Sequence, residues 1–376
     1  MDSITVTTKT PNCHMVGFET VDTKLKGSWT VIQKSADAES KDVLVRSDLA
    51  AKIMSTVGVT KAEHKLPFFP LIFSDNKMTV FDNDPLYTSL PSDRKLDEVH
   101  LKVVMKSLAR LHAISFIFFK RSNDENSKAL LSDSAFTEEN RATTTKLLEN
   151  RLDRVLTTLA AEGCSEEEIK MVKTLKNSLY NIYKEAATSN SLLPVLCHGE
   201  PTPANIKFKY AADGLPIDAR FVNLEKCRYG SGVNDIHLFI NSSGNNTARE
   251  DFLLRFVYYE ALVSLLKVYG EKNVFSFDEL KSEFVQKRLY GYIQSSFILA
   301  EGHGTGHVSK KTVSAPVVQS QQGTKAVESK ILGKFFPGRA KVAAVAKFNQ
   351  VEKGSVMDKE DVGSRVRDII MKAMKV

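Results

Sequence analysis

The stretch Val195–Phe239, VLCHGEPTPANIKFKYAADGLPIDARFVNLEKCRYGSGVNDIHLF, constrains this chain more than any other. Its apolar start ends in His198-Gly199-Glu200, and Asn205 follows five residues after Glu200. A short apolar run (Ile206, Phe208, Tyr210) then reaches a turn at Asp213-Gly214. A second run, Arg220-Phe221-Val222, ends in Asn223-Leu224-Glu225. Two strand-like runs joined by an Asp-Gly turn predict a β-ribbon. Both polar clusters then lie on one side of it and face one ligand. Phosphoryl transfer needs such a set: an acid near the acceptor hydroxyl, an amide on a metal, and a second acid on the metals that bridge nucleotide phosphates.

The flanking sequence supplies two lobes. Residues 1–92 predict a β-rich N-lobe. Short β-branched or aromatic runs lie at Thr5–Thr8, Val16–Val21 and Ser28–Gln33, and Trp29–Lys34 reads as a strand ending in a lysine. A helix capped near Ser47 reaches Met54. Phe68–Phe73 and Met78–Phe81 predict two further strands, and the Asp/Asn/Pro/Ser-rich loop 82–93 predicts a hinge. Residues 93–300 predict a helical C-lobe that encloses the ribbon of residues 195–239. Its first helix is capped by Asp97 and buries Leu101, Val104, Leu108 and Leu111 at helical spacing. A Ser/Asp/Asn linker (122–134) follows. Further helices are expected over 138–161, from the capping box Ser165–Glu168 to Ala187, over 249–269, and from Phe277 to Leu299. The fold class is therefore α+β, with two lobes and a ligand between them.

Charge singles out the remainder. Residues 301–376 carry 14 Lys/Arg against 7 Asp/Glu, which accounts for the whole net charge of +7. This basic tail is expected to be a solvated flank, Gly/Ser/Lys/Gln-rich and irregular over 302–357, closed by a helix over 361–374. It has few aromatics and no recognised module, so a nucleic-acid partner is not expected. No apolar run approaches the roughly 18 residues that span a bilayer, so no membrane insertion is expected. Cys13, Cys164, Cys197 and Cys227 lack zinc-ligand spacing and read as free thiols of a cytoplasmic protein.

Taken together, Leu108-Ala-Arg-Leu-His-Ala113, His198-Gly199-Glu200 with Asn205, and Val222-Asn-Leu-Glu225 with Arg228-Tyr229 carry a resemblance. Val233–Phe239 and Phe277–Leu280 extend it. Over roughly residues 28–300 and the last helix, the chain resembles the ecdysteroid-kinase-like (CHK-kinase-like) proteins, relatives of choline kinases and aminoglycoside phosphotransferases. The resemblance implies a bilobal kinase-like fold and an enzyme that uses ATP and Mg²⁺ to phosphorylate a hydroxyl on a small molecule, steroids among them. It implies that Lys34 holds the phosphates with Asp48 as its acidic partner. Glu200 then takes the acceptor proton, and Asn205 with Asn223 holds metal. His198 hydrogen-bonds the loop, and Asp235 accepts its backbone N–H groups.

Two departures qualify the activity. The family pattern is His-Gly-Asp, then Asn, then Asp-Phe-Gln; here the acids are Glu200 and Asn223. A base displaced by about 1 Å loses on the order of a hundredfold in rate, and a neutral amide is a poor ligand for a hard cation that prefers carboxylate. In an extended segment Glu225 would share the face of Asn223 and restore a carboxylate; alternatively it is a surface residue paired with Arg228. The expected function is ATP-dependent phosphorylation of a small-molecule hydroxyl, impaired by these changes. The alternative is a pseudokinase that binds a nucleotide, a small hydrophobic ligand or a protein partner. Phe256, Tyr259, Leu262, Tyr290 and Phe297 are candidates for the acceptor pocket.

Overall fold

The structure is a computed structural model that describes residues 3–10, 13–19, 26–33, 41–74, 78–82, 84–90, 96–132, 134–188, 190–243, 250–272, 274–302 and 359–376. Lys34 and nearly all of the Gly/Ser/Lys/Gln-rich segment lie outside the described residues. Strands β1 (Ser3–Thr10), β2 (Cys13–Glu19) and β3 (Lys26–Gln33) form an antiparallel meander. With β4 (Leu71–Ser74) and β5 (Met78–Asp82) they make a five-stranded sheet of order β1-β2-β3-β5-β4. Between β3 and β4 runs a helix, α1, built from Lys41–Leu44, a π-helical stretch Val45–Leu49, and Ala50–Val57. It stops at Gly58, whose φ of 72° is the left-handed C-cap that glycine adopts without a Cβ penalty.

The expected hinge loop contains a strand, β6 (Tyr87–Ser89). It pairs with β8 (Ile206–Tyr210), which pairs with β9 (Pro216–Phe221), so the ribbon has three strands rather than two. Strand β7 (Pro194–Cys197) pairs separately with β10 (Arg228–Ser231). The long helix α2 (Glu98–Ser122) starts where its sequence predicts: Asp97 accepts from the backbone N–H groups of Val99 and His100. The linker holds α3 (Glu125–Leu130), and α4 is Arg141–Ala161. The Ser165–Glu168 capping box starts α5 (Glu166–Lys173), but the helix breaks into a 3₁₀ turn before α6 (Leu179–Thr188). After β10 come α7 (Gly232–Ser242) and α8, built from Glu250–Phe252, a π-helical stretch Leu253–Tyr259, and Glu260–Val268. The single helix expected from Phe277 to Leu299 is two, α9 (Phe277–Gln286) and α10 (Arg288–Ala300), and α11 (Lys359–Ala373) closes the chain.

Two cores hold these elements. The larger joins α1 to α2, the ribbon, α7 and α8, through Leu49, Ile53, Leu108, Phe208, Phe221, Phe239 and Tyr258. The smaller packs α4, α5 and α6 against α10 and α11 through Leu152, Val155, Ile293, Phe297, Val366 and Ile370. The terminal helix is thus part of a core, not a solvated end. Among the described residues, no helix is long and apolar enough to cross a membrane.

Candidate functional site: a loop closed by an asparagine pair

The loop from Cys197 to Asn205 is shaped by one buried carboxylate. Asp235, in the first turn of α7, accepts from the backbone N–H of His198 at 2.6 Å and of Gly199 at 2.9 Å. Behind it, His112 of α2 lies 3.2 Å away through Nε2, and the Tyr258 hydroxyl donates to His112 Nδ1 at 2.7 Å. Burial alone would raise the Asp235 pKa. The hydrogen bond from His112 is the largest opposing effect, and the carboxyl is held below its ordinary value. The His198 ring ties the loop after β7 to the end of β9, with Nε2 donating to Val222 O at 3.0 Å and Nδ1 accepting from Glu200 N at 3.2 Å. Its pKa is lowered, chiefly by burial, although Asp235 pulls it the other way. Both ring nitrogens are used within the loop, as a neutral imidazole allows.

Gly199 shows how tightly the loop is folded. Its φ is +85°, and a Cβ there would lie 1.9 Å from the Lys226 carbonyl oxygen. The His-Gly pair therefore lets the loop pass against the segment after Asn223.

The two polar clusters meet at their amides. Asn205 Nδ2 donates to Glu200 O at 3.0 Å, which turns its Oδ1 toward Asn223. Asn223 Nδ2 donates to that Oδ1 at 3.3 Å. The orientation of both side chains follows from this network, because only a nitrogen can serve the Glu200 carbonyl. Asn223 has a left-handed backbone, φ 61° and ψ 70°, which asparagine tolerates better than most residues. Leu224–Lys226 then forms a 3₁₀ turn. The extended geometry that would put Glu225 on the face of Asn223 is absent, and Glu225 lies exposed on the turn. Arg228 donates to the Tyr290 hydroxyl at 2.9 Å. Glu200 is half-buried at the loop end beside Asn205.

These residues do not fit a hard divalent cation. Where two metal-ligand oxygens would be needed, an N–H₂ group points at an amide oxygen, and Asn223 contributes no charge to offset a dication. Among the described residues, no group of three or more His, Cys, Asp or Glu is placed to hold a metal ion.

Asp48 is exposed on α1, and Lys34, its expected partner, lies outside the described residues. Asp42, six residues earlier, meets the loop after Asn223. Its Oδ1 accepts from Leu224 N at 2.6 Å, and Arg46 grips the same carboxylate through Nε at 2.9 Å and Nη2 at 3.0 Å. The sequence signal for this is the Asp42/Arg46 spacing of four within one helix. The candidate acceptor residues are divided between the cores: Leu262 belongs to the larger, with Tyr259 packed against it, Tyr290 and Phe297 belong to the smaller, and Phe256 is 53% exposed. Cys197 and Cys227 are fully buried, and burial pushes both thiols well above their ordinary pKa.

Comparison with known proteins places this arrangement. The sequence profile of the ecdysteroid kinase-like family matches residues 72–271, more than half of the chain. The chain belongs to that family. Its solved structural relatives are distant. An ethanolamine kinase of Plasmodium vivax is 14% identical, with a TM-score of 0.41 over 78% of this chain and 77% of that one. A choline kinase of Cryptosporidium parvum is 12% identical, with a TM-score of 0.43 over 81% and 85%. The choline kinase LicA of Streptococcus pneumoniae is 11% identical, with a TM-score of 0.39 over 78% and 94%. No curated protein sequence matches the chain. The described residues of this ecdysteroid kinase-like protein form an α+β fold.

Proposed function

We propose that this family member keeps the phosphotransferase loop as a binding scaffold and has lost metal-dependent phosphotransfer. The observation that carries the reading is the hydrogen bond from Asn223 to Asn205. An amide pair stands where cation ligands would be expected: Asn205 Nδ2 serves Glu200 O, and Asn223 Nδ2 serves Asn205 Oδ1. The ligands this scaffold would take are an adenine nucleotide and a small hydroxyl-bearing molecule such as a steroid. The loop's supports, Asp235, His112 and His198, would then hold it in shape for binding.

Glu200 favours a second reading, impaired ATP-dependent phosphorylation of that hydroxyl, because it keeps a carboxyl at the loop end next to Asn205. A thermal-shift titration with ATP, with and without Mg²⁺, separates the two. The binding reading expects ATP to raise the Tm equally in both conditions. A rise that requires Mg²⁺, together with transfer of phosphate to a hydroxylated acceptor, would overturn it.

A further inference from the structure

We infer that Arg46 is a positioning residue. Acting through Asp42, it fixes the loop that carries Asn223 and ties the N-lobe helix to the ribbon. The inference stands on geometry and holds whichever reading of phosphotransfer is right.

The Arg46 side chain is only 3% exposed and is held from every side. One edge, Nε with Nη2, makes the fork to the Asp42 carboxylate, and Nη1 donates to the Phe69 carbonyl at 2.6 Å. Its guanidinium lies 4.7 Å from the Phe81 ring centroid and 5.7 Å from that of Phe68. A planar fork between a carboxylate, a carbonyl and aromatic faces has one geometry, and an ammonium cannot reproduce it. Asp42 in turn spends Oδ1 on the Leu224 amide, the residue after Asn223, whose side chain is fully buried.

The far side of the guanidinium closes a ring. Phe69 continues the segment in which Phe221 N donates to Pro67 O at 2.7 Å, and Phe68 bridges Phe221 at the end of β9. One buried guanidinium therefore connects α1, the segment before β4, and both ends of the β9–Asn223 passage. Loss of Arg46 would leave the Asp42 carboxylate buried, uncompensated and free to turn. Turning releases the Leu224 amide, because Oδ1 holds both that amide and Arg46 Nη2.

Hydrogen exchange read by mass spectrometry tests this on the full chain. In Arg46→Met, the 222–226 segment should exchange about tenfold faster relative to the 194–197 strand, the scale of one lost hydrogen bond to a charged group. Arg46→Lys should fall between that variant and the native protein. If Arg46→Met does not fold, the lysine variant is read alone. The Asp42→Asn/Arg46→Met double variant should exchange no faster at 222–226 than the Arg46→Met single variant, since one path carries both effects. An unchanged ratio in the single variants, or additive acceleration in the double variant, overturns the inference.

Discussion

Residue by residue, the site is decided by small differences of group. Asn223 and an aspartate differ by little in shape, and both tolerate a left-handed backbone. What changes is whether the Oδ1 of Asn205 meets a donor or another oxygen. Asn223→Asp should therefore keep the fold while removing the internal donor, so that the facing oxygens need a cation. The variant is expected to gain a saturable Mn²⁺-dependent rise in Tm of at least about 2 °C, since a one-site ligand at 100 times its Kd adds about 2.7 kcal/mol. A native protein that responds to Mn²⁺ as strongly as the variant would contradict the amide-pair account. Gly199 is decided by space and by φ together. Gly199→Ala places a Cβ against Lys226 O in a left-handed conformation, and thermal unfolding should show a clear fall in Tm. An unchanged Tm would mean that the loop does not pass Lys226 this closely. The two polar clusters that hold Asn205 and Asn223 were legible in the sequence, but the bond between these side chains was not, because side-chain direction depends on the backbone turn between β9 and Leu224.

At the level of elements, α7 holds the loop and packs against the last helices. Asp235→Ala removes the acceptor of two backbone N–H groups and the partner of His112 inside the core. The cost should be about 3 kcal/mol or more, seen as a lower urea midpoint as well as weaker ligand binding. His237, two residues on, stacks on Phe284 at 3.8 Å and donates to its carbonyl at 2.7 Å. Burial lowers its pKa from the ordinary 6.5 to about 3. The unfolded chain takes up a proton below 6.5 that the folded chain accepts only near 3. Stability present above pH 6.5 is therefore lost as pH falls through that window. The urea midpoint should drop between pH 7 and pH 4.5, and His237→Gln should flatten that drop; an equal slope in both proteins would rule His237 out as its source. Two helix starts were legible because capping is local, at Asp97 and Ser165, but the cap expected near Ser47 lies inside α1, which already runs from Lys41. Helix breaks were not. Nothing in Lys173–Ser178 or at Lys287 is a proline or glycine. Just before the second break, Glu283 serves Ser191, Leu192 and Ser231 at distant points of the chain.

For the whole molecule, the terminal helix is the element whose role changed most. The charge of residues 301–376 suggested a solvated flank, yet α11 buries Val366, Ile369 and Ile370 in the smaller core, and Arg365 donates to Ser242 O at 2.6 Å. Ile370→Ala should cost about 2–5 kcal/mol, the range for a buried large-to-small change, and lower the Tm accordingly. A neutral result would place α11 outside the core. The sequence by itself determined the β-rich lobe, the helices that start at strong caps, the ribbon and the identity of its polar clusters, because periodicity, capping and turn chemistry are local properties. Only the tertiary structure decided that β6 joins the ribbon, that Asp42 holds the Leu224 amide, and that Asn223 bonds to Asn205. Those outcomes rest on contacts between residues far apart in the chain, where direction and burial are set by packing rather than by neighbouring sequence.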